Sequence, residues 1–173
     1  MGLTADNWTV TGNLTVAGNT TVAGDATVTG DLNVSGTTIV AGGHPISLGP
    51  WSQANATASQ SAVALTLNGD SGLTEIVFPW AGKVIGISVA SQNARSAGTC
   101  TVDATIDGTV TGLQAVLDGS NTTYHSATQA LATADTFTAG QRIGVKVTTD
   151  GDWAAGTTPS IVVCVVVAMA TPT

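Results

Sequence analysis

Basic residues are scarce: four Lys and Arg stand against eleven Asp and Glu in 173 residues, a formal charge of −7. Binding to a phosphate backbone draws on clustered cations that release counterions, so no nucleic-acid partner is expected. Charged residues of both signs reach only 9% and aromatics only 4%, which argues against acid pairs framed by sugar-stacking rings. Histidine occurs twice, as His44 before a proline and His125 beside Tyr124, and no nucleophile-elbow pattern accompanies either. Cys100 and Cys164 have neither zinc nor redox spacing and sit in strand-like runs, so they read as small buried hydrophobes. Phosphate-loop, dinucleotide and EF-hand motifs are missing, and no cofactor is called for. No apolar run reaches the ~18–20 residues of a membrane-crossing helix. The longest, residues 161–170, reads as a central strand buried on both faces, with a subunit interface as one place for its second face. The start, Met1-Gly2-Leu3-Thr4-Ala5-Asp6, lacks the basic and apolar regions of a signal peptide, so export by that route is not expected.

What is abundant is Gly, Thr, Ala and Val, and in the first quarter of the chain they are periodic. A branched residue recurs every six positions at Val10, Val16, Val22, Val28, Val34 and Val40. Two residues after each comes a glycine, at Gly12, Gly18, Gly24, Gly30, Gly36 and Gly42, followed by Asn13, Asn19, Asp25 and Asp31 before the pattern drifts. Leu14, Thr20, Ala26, Leu32 and Thr38 precede successive valines by two. Strand alternation sends Leu14 and Val16 to one face and Thr15 to the other, while Gly and Asn suit tight corners. The unit is thus a three-residue strand plus a three-residue corner, the period of a hexapeptide β-helix.

One chain needs about three hexads per triangular turn, so six hexads make two turns with exposed ends. Three chains around a common axis remove that difficulty, each layer taking one hexad from each chain. The shaft would then hold about six layers and run about 29 Å. Its expected core is Val10, Leu14, Val16, Val22, Val28, Leu32, Val34 and Val40. A single-chain β-helix, an unrelated β-prism and a flexible linker are the alternatives.

Gly42-Gly43-His44-Pro45 ends the periodicity, and Leu48-Gly49-Pro50 with the polar residues 52–61 reads as a hinge. The organisation predicted is an anchor over 1–8, a trimerisation stalk over 9–44, a hinge over 45–61 and a head over 62–173. Strands are predicted at 62–67, 75–78, 83–91, 99–106, 110–117, 124–130, 142–148 and 161–170, with no helical periodicity. Alternation is cleanest in Val84-Ile85-Gly86-Ile87-Ser88-Val89 and Ile143-Gly144-Val145-Lys146-Val147. Turn signals such as Asp107-Gly108 and Asp118-Gly119 fall between strands. Fold class is therefore all-β: an intertwined β-helical or β-prism stalk followed by a jelly-roll β-sandwich.

Of the acidic residues, Asp103 and Asp107 lie in or beside one predicted strand, and Asp150-Gly151-Asp152 occupies a loop. They read as solvated charge, with a weak calcium site as the alternative and no metal site assigned. Trp8 precedes the repeat, and Trp51, Trp80 and Trp153 flank strand ends as core or interface fillers. The candidate ligand loops carry Arg95, Asn121, Tyr124 and Trp153, with Tyr124 and Trp153 as the sugar-stacking candidates if exposed.

The run from Val10 through Gly36 resembles the shafts of trimeric bacteriophage fibre, spike and capsid-decoration proteins. Residues 81–89, 97–102 and 137–147 are similar to the jelly-roll heads at the tips of such proteins. The resemblance implies a non-enzymatic homotrimer on the virion surface, assembled in the host cytoplasm, with its N-terminal end fixed to the particle. On that basis Leu3 and Trp8 are the candidate capsid anchor and the major capsid protein is the expected partner. The alternative is a fibre tip binding a host surface glycan. Neither nucleic acid nor membrane is a partner on this reading.

Overall fold

The computed structural model describes residues 44–70, 72–157 and 159–169. The expected anchor, Leu3 and Trp8, and the expected stalk core from Val10 to Val40 lie outside the described residues. The rest is all-β. Its strands are β1 (His44–Gln53), β2 (Val63–Ala64), β3 (Thr66–Leu67), β4 (Glu75–Val77), β5 (Gly82–Ser91), β6 (Cys100–Ile106), β7 (Thr109–Leu117), β8 (Tyr124–Thr128), β9 (Thr136–Phe137), β10 (Arg142–Thr149) and β11 (Ile161–Met169).

Two curled antiparallel sheets face each other. One runs β3-β1-β11-β5-β8 with β9 added to β5, and the other runs β2-β10-β6-β7 with β4 added to β10. Period-two alternation decides what lies between them. In β5, Val84, Ile87 and Val89 point inward, and a bulge opposite Val166/Val167 resets the register so that both ends of the strand keep their apolar side in. In β10, Ile143, Val145 and Val147 do the same against Val102 and Ala115. Trp51, Leu65, Phe137 and Trp153 complete a single core drawn from both sheets. Phe78 and Phe137 meet edge to face with ring centroids 5.4 Å apart, a preferred aromatic geometry.

Two expectations change. Where a hinge is expected over 45–61, the structure has the ten-residue strand β1, paired with β11 along most of its length. The local signal misleads because Gly49-Pro50, a cis peptide bond, sits at a bulge between Leu48 and Trp51 inside the strand. Trp51 beyond it is wholly buried and donates from its indole N–H to the Thr74 carbonyl at 2.9 Å. The second change concerns β11, which is central in its sheet but within a single chain is buried on one face only. Ile161, Val163, Val165 and Val167 point into the core, whereas Val162 is 43% exposed and Cys164 and Val166 are half-buried.

The strands define two ends. At one, His44 pairs with Met169, Met169 with Gly82, and Gly82 with Phe137. Here residues 1–43 connect, and here the β6–β7 turn is tied down by Asp107, which accepts from Arg142 N–H at 3.0 Å and Gln141 at 2.9 Å. At the other end lie the loops that follow β1, β5, β7 and β10.

Candidate functional site

The three sequence-predicted ligand loops, far apart along the chain, converge at the end opposite the N-terminal connection. Residues 92–99 follow β5, 118–123 link β7 to β8, and 150–157 follow β10. Backbone bonds stitch them together. Arg95 N–H donates to the Thr122 carbonyl at 2.7 Å, Ser91 N–H to Thr123 at 2.8 Å, and Ser96 N–H to Ala154 at 2.8 Å. Ala97 and Ala154 form a reciprocal antiparallel bridge. Satisfying these groups within the protein keeps the loops ordered without a strand of their own.

Gly98 is where two loops touch. Its φ is +70°, and a Cβ there would overlap Asp150 Oδ1, the Trp153 nitrogen and the Asp152 carbonyl carbon. Only a residue without Cβ permits both the left-handed backbone and the close approach. The Arg95 guanidinium Nε donates to the Gly98 carbonyl on the other side of this contact. Thr99 Oγ1 donates to Asp150 Oδ2 at 2.8 Å. That bond, foremost, holds the Asp150 carboxyl below the usual carboxylate range. Asp118 is held low in the same way, by the N–H groups of Asn121 and then Ser120 at 2.9 and 2.8 Å. Both carboxylates are therefore engaged in loop geometry.

Among the candidate ligand residues, Tyr124 is 76% exposed at the start of β8 and borders a concavity of about 230 Å³ lined by Ser120, Asn121, Thr122 and Thr123. Hydroxyls, amides and one phenol ring suit a neutral, hydroxyl-rich ligand. Asn121 spends its backbone and side-chain N–H groups on Asp118. Arg95 is half-buried beneath the loops. Trp153 does not serve as a stacking platform: it is only 5% exposed, and its indole N–H donates to the Ala56 carbonyl at 3.1 Å across 97 residues of sequence. Trp80 is the tryptophan left half-exposed among those described, at the opposite end.

His125 has a structural partner. Its Nδ1 accepts the Val116 N–H at 2.9 Å, joining the edges β7 and β8 of the two sheets. Asp103 and Asp107 do not form a working pair. Asp103 points outward from mid-β6, in register with Lys146 and Gln114, and partial burial raises its pKa. Asp107 lies in the turn and is lowered chiefly by the Arg142 N–H and then Gln141. No group of three His, Cys, Asp or Glu side chains that would hold a metal ion occurs among the described residues. No described helix is long and apolar enough to cross a membrane. Gly98, which the sequence reading passed over, organises the loop cluster; its only local signal is a glycine beside Thr99 at a strand start.

No protein-family model matches the chain, and no curated protein matches it. Among solved structures, a chain of the cyanophage Pam1 capsid asymmetric unit is similar, with 17% identity, a TM-score of 0.45, and coverage of 80% of this chain and 94% of that one.

Proposed function

We propose that the chain is a non-enzymatic, homotrimeric structural protein of a bacteriophage virion, a capsid decoration protein held by its N-terminal part and displaying its head outward. One observation carries the reading: six in-register hexads precede the head in the sequence. The strand orders β1-β11-β5-β8 and β2-β10-β6-β7 support a jelly-roll head, since two Greek keys generate such a pair of four-stranded faces. A net charge of −7 keeps an outward surface soluble.

The test is reconstitution on particles lacking the protein. The full chain should bind them and raise their resistance to heat and low salt, and Trp8→Ala should release it. Particles equally robust with and without the protein would overturn the cementing role. A second reading, host-glycan adhesion at the loop end, is favoured by the exposed Tyr124 ring beside a hydroxyl-lined concavity. It requires that the full chain bind susceptible cells and that Tyr124→Ala abolish binding.

A further inference from the structure

Asparagine or aspartate stands directly before glycine at four places: Asn68-Gly69, Asp107-Gly108, Asp118-Gly119 and Asp150-Gly151. Such a pair leaves the side-chain carbonyl carbon open to the next backbone nitrogen, because glycine has no Cβ to screen it. At three of the four the side chain is tied down. Asp107 accepts from the Arg142 N–H and from Gln141, Asp118 from the Ser120 and Asn121 N–H groups, and Asp150 from Thr99 and the Asp152 N–H. Hydrogen bonds of this kind favour the ionised carboxylate, which is a poor electrophile. Asn68 differs. It and Gly69 are exposed at a turn with φ +51° and +74°, the paired left-handed geometry that suits Asn-Gly, closed by the Asp70 N–H on the Leu67 carbonyl at 3.0 Å. Among the described residues nothing hydrogen-bonds the Asn68 side-chain amide or the Gly69 N–H, and nothing lies within 4 Å of the Gly69 Cβ position. The other described asparagines are each followed by a residue with a side chain and are held besides. The nitrogen after Asn55 donates to the Pro159 carbonyl at 2.8 Å, Asn93 packs against Gly156, and Asn121 donates to Asp118.

We propose that Asn68 is a site of spontaneous covalent modification, converting through a succinimide to isoaspartate and aspartate in the folded head. The Gly69 nitrogen gives its proton to hydroxide and attacks Asn68 Cγ. An N–C bond forms, the Cγ–Nδ2 bond breaks, and the departing nitrogen takes a proton from water and leaves as ammonia. Water then opens the ring at either carbonyl, giving aspartate or, with the backbone rerouted through Cγ, isoaspartate. One water enters and one ammonia leaves, with no change of oxidation state. The position gives the product a structural effect. Asn68 N–H donates to the Pro50 carbonyl at 2.9 Å, beside the pairing of Leu67 with Trp51. Isoaspartate adds a carbon to the backbone of a turn whose closure depends on a fixed residue count, so it draws β3 away from β1. Aspartate keeps the backbone and adds charge alone.

The experiment ages the full wild-type chain, folded, in mildly alkaline buffer and follows it by peptide mass mapping and enzymatic methylation of isoaspartate. Expected is conversion at Asn68 about tenfold faster than at Asn55, Asn93 or Asn121, rising with pH, with isoaspartate at residue 68 and not at 107, 118 or 150. Asn68→Gln, whose longer side chain closes a ring less readily, removes the isoaspartate signal. Hydrogen exchange at the Leu67 and Asp70 amides should accelerate in the aged protein and stay at the fresh wild-type rate in freshly purified Asn68→Asp, which separates the rerouted backbone from the added charge. Conversion no faster at Asn68 than at the other asparagines overturns the assignment, as does equal isoaspartate at Asp118 or Asp150. Conversion confined to chain unfolded in urea overturns it as well, because the folded turn then protects the amide. Unchanged exchange at Leu67 and Asp70 after conversion overturns the effect on β3.

Discussion

Replacing Gly98 by alanine tests the loop cluster at its tightest point, and two other glycines separate the causes. At Gly98 the added Cβ meets a left-handed backbone, φ +70°, and the atoms of Asp150, Asp152 and Trp153. The backbone conformation alone costs an L residue about 1–2 kcal/mol, and forcing atoms into a packed contact about 1–3 kcal/mol. Gly98→Ala should therefore destabilise the protein by about 2–5 kcal/mol. Gly140 has φ +88° but nothing within 4 Å of the Cβ position, so Gly140→Ala carries the conformational cost without the collision. Gly112 has open space and no positive φ; Gly112→Ala should be neutral or stabilising by up to about 1 kcal/mol, through a less flexible unfolded chain. The assay is the urea midpoint from tryptophan fluorescence of the full chain, all variants at one concentration, because an oligomer's midpoint depends on it. Trp153, packed beside Gly98, reports the loops directly. Should Gly98→Ala cost no more than Gly140→Ala, the close approach between residues 98 and 150–153 is wrong.

Trp51→Phe keeps an aromatic ring in the core but strands the Thr74 carbonyl; a loss of about 1–3 kcal/mol in the same assay is expected, and no loss would return 45–61 to a hinge. His125→Ala removes the acceptor of the Val116 N–H and should cost about 1–3 kcal/mol, with hydrogen exchange at Val116 accelerating more than at Val102. Three carboxylates, Asp107, Asp118 and Asp150, are held below their ordinary value in the folded state. Their contribution is present above the ordinary Asp value of about 3.9 and is lost as pH falls through the lower folded values. Asp103, raised by burial, acts oppositely: its contribution is present below its ordinary value and is lost as pH rises through the raised one. With three groups against one, the urea midpoint should drop on acidification below about pH 4, and a midpoint that rises there refutes the assignment.

The sheet strands with a clean local signal were legible. In β5, β6 and β10, alternation of Val or Ile with Ser, Thr, Gly or Lys is a period-two pattern carried by neighbours in sequence, and the Asp107-Gly108 turn follows from two residues. β1 was not legible, because Pro45 and Gly49-Pro50 read as punctuation when only the partner β11 makes the segment a strand. Nor was β9, whose two residues owe their conformation to Gly82 and Lys83.

The candidate loops were found because polar, turn-rich residues mark loop tips in any β-sandwich. Their convergence was not legible, since Thr99 meets Asp150 across 51 residues and Trp153 meets Ala56 across 97. The same distance effect separates two aromatics that look alike in sequence: Trp153 is enclosed by loops from elsewhere and Tyr124 is left in solvent. By itself, then, the sequence determined the all-β class, the hexad period and the inward and outward sides of the best strands, because each is set by backbone sterics and solvent preference over a few residues. The pairing order, the burial of Trp153 and the fit at Gly98 were decided only by tertiary structure, because each depends on which distant segments hydrogen bonding and core packing bring side by side.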